Sequence, residues 1–401
     1  MTESNVLETR PRIAMRTGAE KRVANGHPWA YSNEIEMTDA AKALPPGEIV
    51  TLLRADGRTL GAALFNPHSL IAARMLSRDP TAEANPRFFE RRLQRALKLR
   101  DRLVGVPCYR LAHAEADGLP GVVIDRFGDV VVVEINSAGM DRLAEPLVAA
   151  IETVLKPQTI LVRGEGSARQ MEGLAPMSRF ARGELTGPIE ISENGARFLA
   201  DPASGQKTGW YYDQRDNRAL MARFAKGGSF LDHYSYTGGF GIQAAAAGAT
   251  EVLAIDRSEP ALALLQQAAV LNGVDALVSM HKGEAFDALE VLIKEKRRFD
   301  IVSADPPAFV KSKKDLKVGS KAYRKLARLA CQAVAPGGLL FIASCSHNMP
   351  VADFAQQVSR GVYEGGRAAK LLYATGAAPD HPVHPFLPES AYLKALILQV
   401  D

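Results

Sequence analysis

From about residue 205 onward, short apolar runs alternate with helix-length segments, and this alternation constrains the fold more than any other feature of the chain. It predicts strands at 229–232, 251–255, 277–281, 300–304 and 339–344 with helices between them. A final strand pair falls near 369–375 and 392–400, around the proline-rich loop 379–388. Strands joined by helical crossovers run parallel, and the helices then cover both faces of the sheet. In such a sheet the carboxyl ends of the strands face the ligand crevice. Chemistry is expected at those ends.

Upstream the pattern differs. Gly47-Glu48-Ile49-Val50-Thr51-Leu52-Leu53 partly alternates, Ala55-Asp56-Gly57 turns, and 60–65 and 71–76 read as further short strands before Asp79-Pro80. This suits a small barrel. Phe88, Phe89, Leu93, Leu97, Leu99 and Leu103 then mark an amphipathic helix over 86–103. Runs at 109–113, 121–125 and 130–135, a helical stretch at 141–155 and a strand at 159–162 form a second α/β unit with an antiparallel or mixed sheet. A chain of 401 residues has room for two or three domains.

The rest of the composition bounds the setting. No apolar run reaches the roughly 20 residues that span a bilayer. Met1-Thr2-Glu3-Ser4-Asn5 lacks a secretory start, so a cytoplasmic protein with no membrane partner is expected. Cys108, Cys331 and Cys345 are too few and scattered for a disulfide framework or a zinc site, and no metal is expected. The net charge of +4 is compatible with RNA without requiring it. Two basic clusters stand out. Arg87, Arg91, Arg92, Arg95, Lys98, Arg100 and Arg102 read as a solvated helix face. Lys311, Lys313, Lys314, Lys317 and Lys321 follow Asp305-Pro306-Pro307, rim the crevice and suit phosphate contact.

The first strand of the alternating region leads into Asp232-His233-Tyr234-Ser235-Tyr236-Thr237-Gly238-Gly239-Phe240-Gly241. Glycines let a backbone approach a ligand closely, and the following helix start offers free N–H groups. The spacing is not G-x-G-x-x-G, which argues against a nicotinamide oxidoreductase. Asp256 ends the second strand, where an acid accepts bonds from ribose hydroxyls; the alternative is a cap for the next helix. Together these features predict a bound adenosine cofactor. Glu284-Ala285 after the third strand would lie by its adenine.

Asp305-Pro306-Pro307 ends the fourth strand, and Ser344-Cys345-Ser346 ends the fifth. A thiol and a carboxylate delivered to one crevice suit covalent catalysis on an electron-poor ring. Addition of a thiolate to cytosine C6 makes C5 enamine-like and able to attack a methyl group. Asp305 would support the ring at N3 or the exocyclic amine. A structural thiol is the alternative for Cys345; Cys331 is expected in the core. The loop Gly205-Gln206-Lys207-Thr208-Gly209-Trp210-Tyr211-Tyr212-Asp213-Gln214-Arg215 joins a cation to three aromatics. It suits base stacking and phosphate contact, or alternatively a capped helix start over a hydrophobic anchor.

Taken together, Gly205-Gln206-Lys207-Thr208-Gly209, Asp213-Gln214-Arg215-Asp216-Asn217-Arg218, Tyr234-Ser235-Tyr236-Thr237-Gly238-Gly239-Phe240, Asp305-Pro306-Pro307 and Ser344-Cys345-Ser346 resemble the bacterial large-subunit rRNA cytosine-5 methyltransferases of the RlmI type. His27-Pro28-Trp29-Ala30-Tyr31-Ser32 resembles the start of their PUA domain, and 117–126 their middle domain. The resemblance implies an α/β protein of three parts. These are a PUA β-barrel at 1–80, a mixed α/β linking domain at 81–190, and a Rossmann-like class I methyltransferase domain at 191–401. It implies S-adenosylmethionine held by Asp232, Tyr234, Thr237, Gly238, Gly239, Gly241, Asp256, Arg257, Glu284, Ala285, Asp305 and Pro306. It implies Cys345 as nucleophile with Asp305 beside it. Large-subunit rRNA would be gripped by Lys207, Tyr212, Arg215, Lys311, Lys313 and Lys314 and by the PUA domain.

One departure from a wider group matters. Another RNA cytosine-5 family has a second cysteine three residues after the motif aspartate, where this chain has Ala308. The group that removes the C5 proton is therefore open. The related fold often pairs, so a homodimer is an expectation of the resemblance only. Two other functions stay in view: methylation of a guanine nitrogen, which needs no cysteine, and a non-catalytic PUA-led assembly factor.

Overall fold

The computed structural model describes residues 9–401; the extreme N-terminus read above for a leader lies outside them. The chain forms two compact units. One holds the chain up to Gly187 with Pro202–Ser204 and Asp380–Ser390; the other holds Pro188–Asp201, Gly205–Pro379 and Ala391–Asp401.

The first unit contains two five-stranded sheets. In one, Arg12–Ala14, Glu48–Leu53, Thr59–Phe65, Ala73–Ser77 and Trp29–Ala30 lie side by side, and only the first pairing is parallel. The other is mixed: Val130–Ile135 and Thr159–Gly164 pair in parallel, and the remaining pairings are antiparallel. A buried carboxylate ties the two together. Glu172 accepts from Asn66 Nδ2, Ser69 Oγ and Arg74 Nη2, each at 3.0 Å. The helix Pro86–Val104 begins with Asn85 as its cap and Pro86 in the first turn, and ends at Gly105 with φ +75°. Its basic residues are not all solvated. Arg100 is fully buried in a bidentate pair with Asp117, and Arg92 lies 3.5 Å from the Phe88 ring centre. The helical stretch expected at 141–155 is two helices, Ala138–Arg142 and Ala144–Leu155.

The second unit is built on a seven-stranded sheet. Its strands are β1 (Ser229–His233), β2 (Glu251–Asp256), β3 (Val278–Lys282), β4 (Phe299–Ala304), β5 (Val334–Ser344), β6 (Ala369–Thr375) and β7 (Lys394–Val400), in the order β3-β2-β1-β4-β5-β7-β6. The pairings from β3 through β5 are parallel, and β7 inserts antiparallel between β5 and β6. Helices α1 (Gly239–Ala246), α2 (Glu259–Leu271), α3 (Ala285–Lys294), α4 (Leu316–Gln332) and α5 (Val351–Glu364) make the crossovers. Leu231, Val302, Leu340 and Ile342 are completely or nearly completely buried, as expected of strands covered on both faces. β5 starts five residues earlier than its apolar run suggests. Pro336-Gly337-Gly338 is absorbed as an irregularity, with Phe299 opposite Val334 but Ile301 opposite Leu339. A hairpin of Ile189–Glu193 and Ala196–Ala200, turning at Asn194-Gly195, precedes the sheet. Among the described residues no helix is long and apolar enough to cross a membrane.

Candidate active site

The carboxyl ends of β1, β2, β4 and β5 carry Asp232, Asp256, Asp305 and Cys345. After β1 the chain turns into α1 through Tyr234, Tyr236 and Gly238, at φ +66°, +49° and +85°. Left-handed tyrosines are costly, about 1–3 kcal/mol each, unless the surroundings fix them. Asp256 does so for Tyr236: its Oδ2 accepts from Tyr236 N at 2.9 Å and its Oδ1 from Ser258 N at 2.8 Å. Asp256 is not the cap of the next helix: Ser258 is, its Oγ accepting from Ala261 N at 3.3 Å, and Asp256 remains partly exposed. Gly238 cannot be replaced without movement, because a Cβ there would lie 2.6 Å from Leu265 Cγ.

Asp232 lies inside the sheet rather than on its rim. It accepts from Gly241 N at 2.8 Å and Ser303 Oγ at 3.0 Å, and burial pushes its carboxyl up to about 6. It holds the glycine turn from below. His233 is also buried and donates from Nε2 to the Ala285 carbonyl at 2.7 Å. Burial lowers its ring to about 4, so it is neutral and fixes the Glu284-Ala285 turn. Glu284 and Arg257 are exposed. Ser235 Oγ and Thr237 Oγ1 are buried with no partner among the described residues, polar groups left over at the turn where a cofactor would sit.

At the end of β4, the Asp305 carboxyl is pushed up to about 7 by burial and by the charge of Asp213, against the pull of Lys207 and a Gln214 hydrogen bond. Cys345 Sγ lies 4.0 Å from the Pro306 carbonyl, so the thiol and the Asp-Pro-Pro turn share one space. Burial pushes this thiol up to about 11. Lys207 opposes the shift; Asp305 and Asp213 add to it. The resting form is the thiol. Cys331 is a second, fully buried thiol on the inner face of α4, as the sequence suggests.

Two residues without a motif of their own, Tyr323 and Lys394, hold the Ser-Cys-Ser segment in place together with the backbone of Val310. Tyr323, fully buried on α4, accepts from Ser344 Oγ at 2.8 Å and shares a 2.8 Å bond with Ser346 Oγ. Ser346 Oγ accepts from Val310 N at 3.0 Å, which joins the Ser-Cys-Ser segment to the loop after Asp305. Lys394, opposite Ser344 on β7, donates to the carbonyls of Ser346 at 2.6 Å and Met349 at 2.8 Å. Burial lowers its pKa. A lysine beside Ala395-Leu396-Ile397-Leu398 was the one readable signal for it.

The loop at 205–213 adds a cation and aromatic rings. Lys207 Nζ sits 3.3 Å from Asp213 Oδ2 and 4.2 Å from the Tyr211 ring centre. Tyr392 donates to the same Asp213 oxygen at 2.6 Å and stacks on His347 with ring centres 5.2 Å apart. Beneath the loop, buried Glu193 takes bonds from Arg218, Trp210 and Gln243 at 2.6–3.1 Å. Of the expected RNA contacts, Lys207, Lys311, Lys313 and Lys314 are exposed. Tyr212 and Arg215 are not; they are buried together, with the guanidinium 5.2 Å from the ring centre, and belong to the layer under the loop.

Comparison with known proteins agrees with this arrangement. Residues 13–78 match a PUA-like domain, and residues 175–399 match the S-adenosylmethionine-dependent methyltransferase family. A Shewanella denitrificans protein named ribosomal RNA large subunit methyltransferase I is 36% identical over 394 residues, covering 97% of this chain and 99% of that protein. An Aeromonas salmonicida protein of the same name is 37% identical over 392 residues, covering 96% and 98%. A Streptococcus mutans structure assigned as a SAM-dependent methyltransferase superposes with a TM-score of 0.81 at 24% identity, over 97% of this chain and all of that one. That likeness speaks for the fold alone. The chain belongs to the S-adenosylmethionine-dependent methyltransferase family that includes the ribosomal RNA large subunit methyltransferases I.

Proposed function

We propose that this protein methylates C5 of a cytosine in large-subunit rRNA, with Cys345 as the covalent nucleophile and Asp305 as its partner. The observation that carries the reading is the approach of Cys345 Sγ to the Asp305-Pro306 turn, 4.0 Å from the Pro306 carbonyl. The substrate class follows from the names of the relatives that match nearly the whole chain. The three-part division at 1–80, 81–190 and 191–401 belongs to the same proposal, as does rRNA contact through Lys207, Lys311, Lys313 and Lys314.

The residues present fit S-adenosylmethionine. Asp256 would accept from ribose hydroxyls, Ser235 and Thr237 have polar atoms unspent among the described residues, and glycine at 238, 239 and 241 keeps side chains out of most of the turn. When bound, that molecule supplies an electrophilic methyl group on a sulfonium. The protein's own work is on the base. The Cys345 thiol gives its proton to ionised Asp305 or to water as its sulfur bonds to C6, which moves the ring π electrons so that C5 becomes nucleophilic. Asp305 titrates near neutrality, so it can donate to N3 when protonated or accept from the amine when ionised. Once C5 is methylated, its proton passes to ionised Asp305 or to water, the C5–C6 double bond re-forms and the thiolate departs. Lys207 stabilises the thiolate at both ends of this sequence.

The test uses rRNA transcribed with 5-fluorocytidine, whose C5 cannot release a proton. With S-adenosylmethionine present, the wild-type protein is expected to stay on the RNA through denaturing electrophoresis, and Cys345→Ala to run free. Absence of any trapped species with an otherwise methylating wild type would remove Cys345 from the mechanism.

A further inference from the structure

The segment 311–328 contains Lys311, Lys313, Lys314, Lys317, Lys321, Arg324, Lys325 and Arg328 against one acid, Asp315. Eight positive charges less one negative give +7 in a chain of net +4, so everything outside this segment is net −3. The excess positive charge of the molecule is concentrated in one place.

The fold arranges it as a stripe. On α4, Gly319, Tyr323, Leu326, Ala327 and Ala330 are buried. At about 100° per residue, Lys317, Lys321, Arg324, Lys325 and Arg328 fall within an arc of roughly 100° on the opposite side. Lys317, Lys321 and Lys325 are exposed, and Arg324 and Arg328 are partly so. From Lys317 to Arg328 the stripe runs about 16 Å at 1.5 Å per residue. Its near end is anchored at the crevice: Asn348, three residues after Cys345, donates from Nδ2 to the Lys311 carbonyl at 3.1 Å. Among the described residues, two of the stripe's cations have ion-pair partners, Arg324 with Glu364 at 3.2 Å and Lys325 with Glu290 at 3.1 Å. Both pairs are on the surface and weak enough to exchange for phosphate.

We infer that the outer face of α4 is a phosphate-tracking surface that carries the RNA strand flanking the target nucleotide away from the crevice. The inference rests on the rRNA-methyltransferase reading and extends it from the rim lysines to the whole helix. The surface reads no sequence, because every group in it is a cation aimed at phosphate.

The test is the salt dependence of rRNA-fragment binding by the full-length protein. Lys317→Gln/Lys321→Gln/Arg328→Gln removes three cations and is compared with Lys226→Gln/Lys370→Gln, two exposed lysines elsewhere on the same unit. The slope of log K against log salt is expected to fall by about 2 in the triple variant, from roughly 0.7 per released charge on single strands. The control should keep at least the wild-type slope less that of its own two charges if they touch RNA, and the full slope if they do not. The triple variant should also raise KM for a long rRNA fragment tenfold or more while kcat and S-adenosylhomocysteine affinity hold. A triple-variant slope equal to wild type would overturn the inference, even with methylation intact. Normal slopes and a reduced triple slope, in a wild type that methylates no RNA, would instead sink the enzymatic reading and leave the surface standing.

Discussion

Tyr323→Phe separates the scaffolding of the candidate nucleophile from the nucleophile itself. The ring's contacts with Phe309 and Phe354, at centroid separations of 4.8 and 5.3 Å, survive the change. Only the hydroxyl goes. Ser344 Oγ then loses its acceptor, Ser346 Oγ loses a partner, and Phe309 N loses a long 3.4 Å contact. Two buried hydroxyls left short of a partner cost about 1–3 kcal/mol each, and rotation toward other groups recovers part of that. A net loss of about 2–4 kcal/mol is expected. For a folding unit of this size, that is a Tm decrease of roughly 5–15 °C. Because the lost bonds fix the Ser-Cys-Ser segment against the Asp-Pro-Pro loop, turnover should fall at least tenfold while S-adenosylhomocysteine affinity stays near wild type. Differential scanning fluorimetry, ligand titration and a methyl-transfer assay measure the three quantities. A Tm within 1 °C of wild type together with unchanged turnover would refute the positioning argument.

Three further outcomes follow from the same geometry. Asp305 titrates at about 7 in the folded protein and near 3.9 unfolded, so its protonated form stabilises the fold below about pH 4 and that stability is lost as pH rises through 7. Asp305→Asn should therefore raise Tm relative to wild type more at pH 8 than at pH 5; equal differences at the two pH values would contradict the burial of this carboxyl. With the Cys345 thiol near 11, roughly one molecule in several thousand carries a resting thiolate at pH 7.5, and log turnover should still be climbing between pH 8 and 9.5. A plateau by pH 7.5 would mean that substrate binding lowers the thiol far more than Lys207 alone. Asp256→Ala frees the left-handed Tyr236 and removes the proposed ribose acceptor, so S-adenosylhomocysteine affinity measured by calorimetry should fall tenfold or more.

The inner strands β1, β2, β4 and β5 were legible because they are largely buried and so read as nearly unbroken apolar runs leading to Asp232, Asp256, Asp305 and Ser344. The start of β5 was not. Pro336-Gly337-Gly338 punctuates the sequence as a turn would, but the ladder with β4 slips there and continues. The hairpin at 189–200 carries its own signal in Asn194-Gly195 between alternating residues, both central positions at positive φ. At the site, glycines and acids at strand ends announce themselves. The residues that set their environment do not, because Tyr323, Lys394 and Glu193 act through burial and partners distant in sequence. Tyr212 and Arg215 show the converse. Their types suggest an RNA surface, and only the fold shows that the aromatic loop turns them inward.

The most direct test of the account is nucleoside mass spectrometry. Large-subunit rRNA from cells lacking this gene would be incubated with S-adenosylmethionine and either wild-type protein or Cys345→Ala. The account predicts 5-methylcytidine with the wild type and none with the variant. A methylated guanosine, or 5-methylcytidine formed equally well by Cys345→Ala, would contradict it.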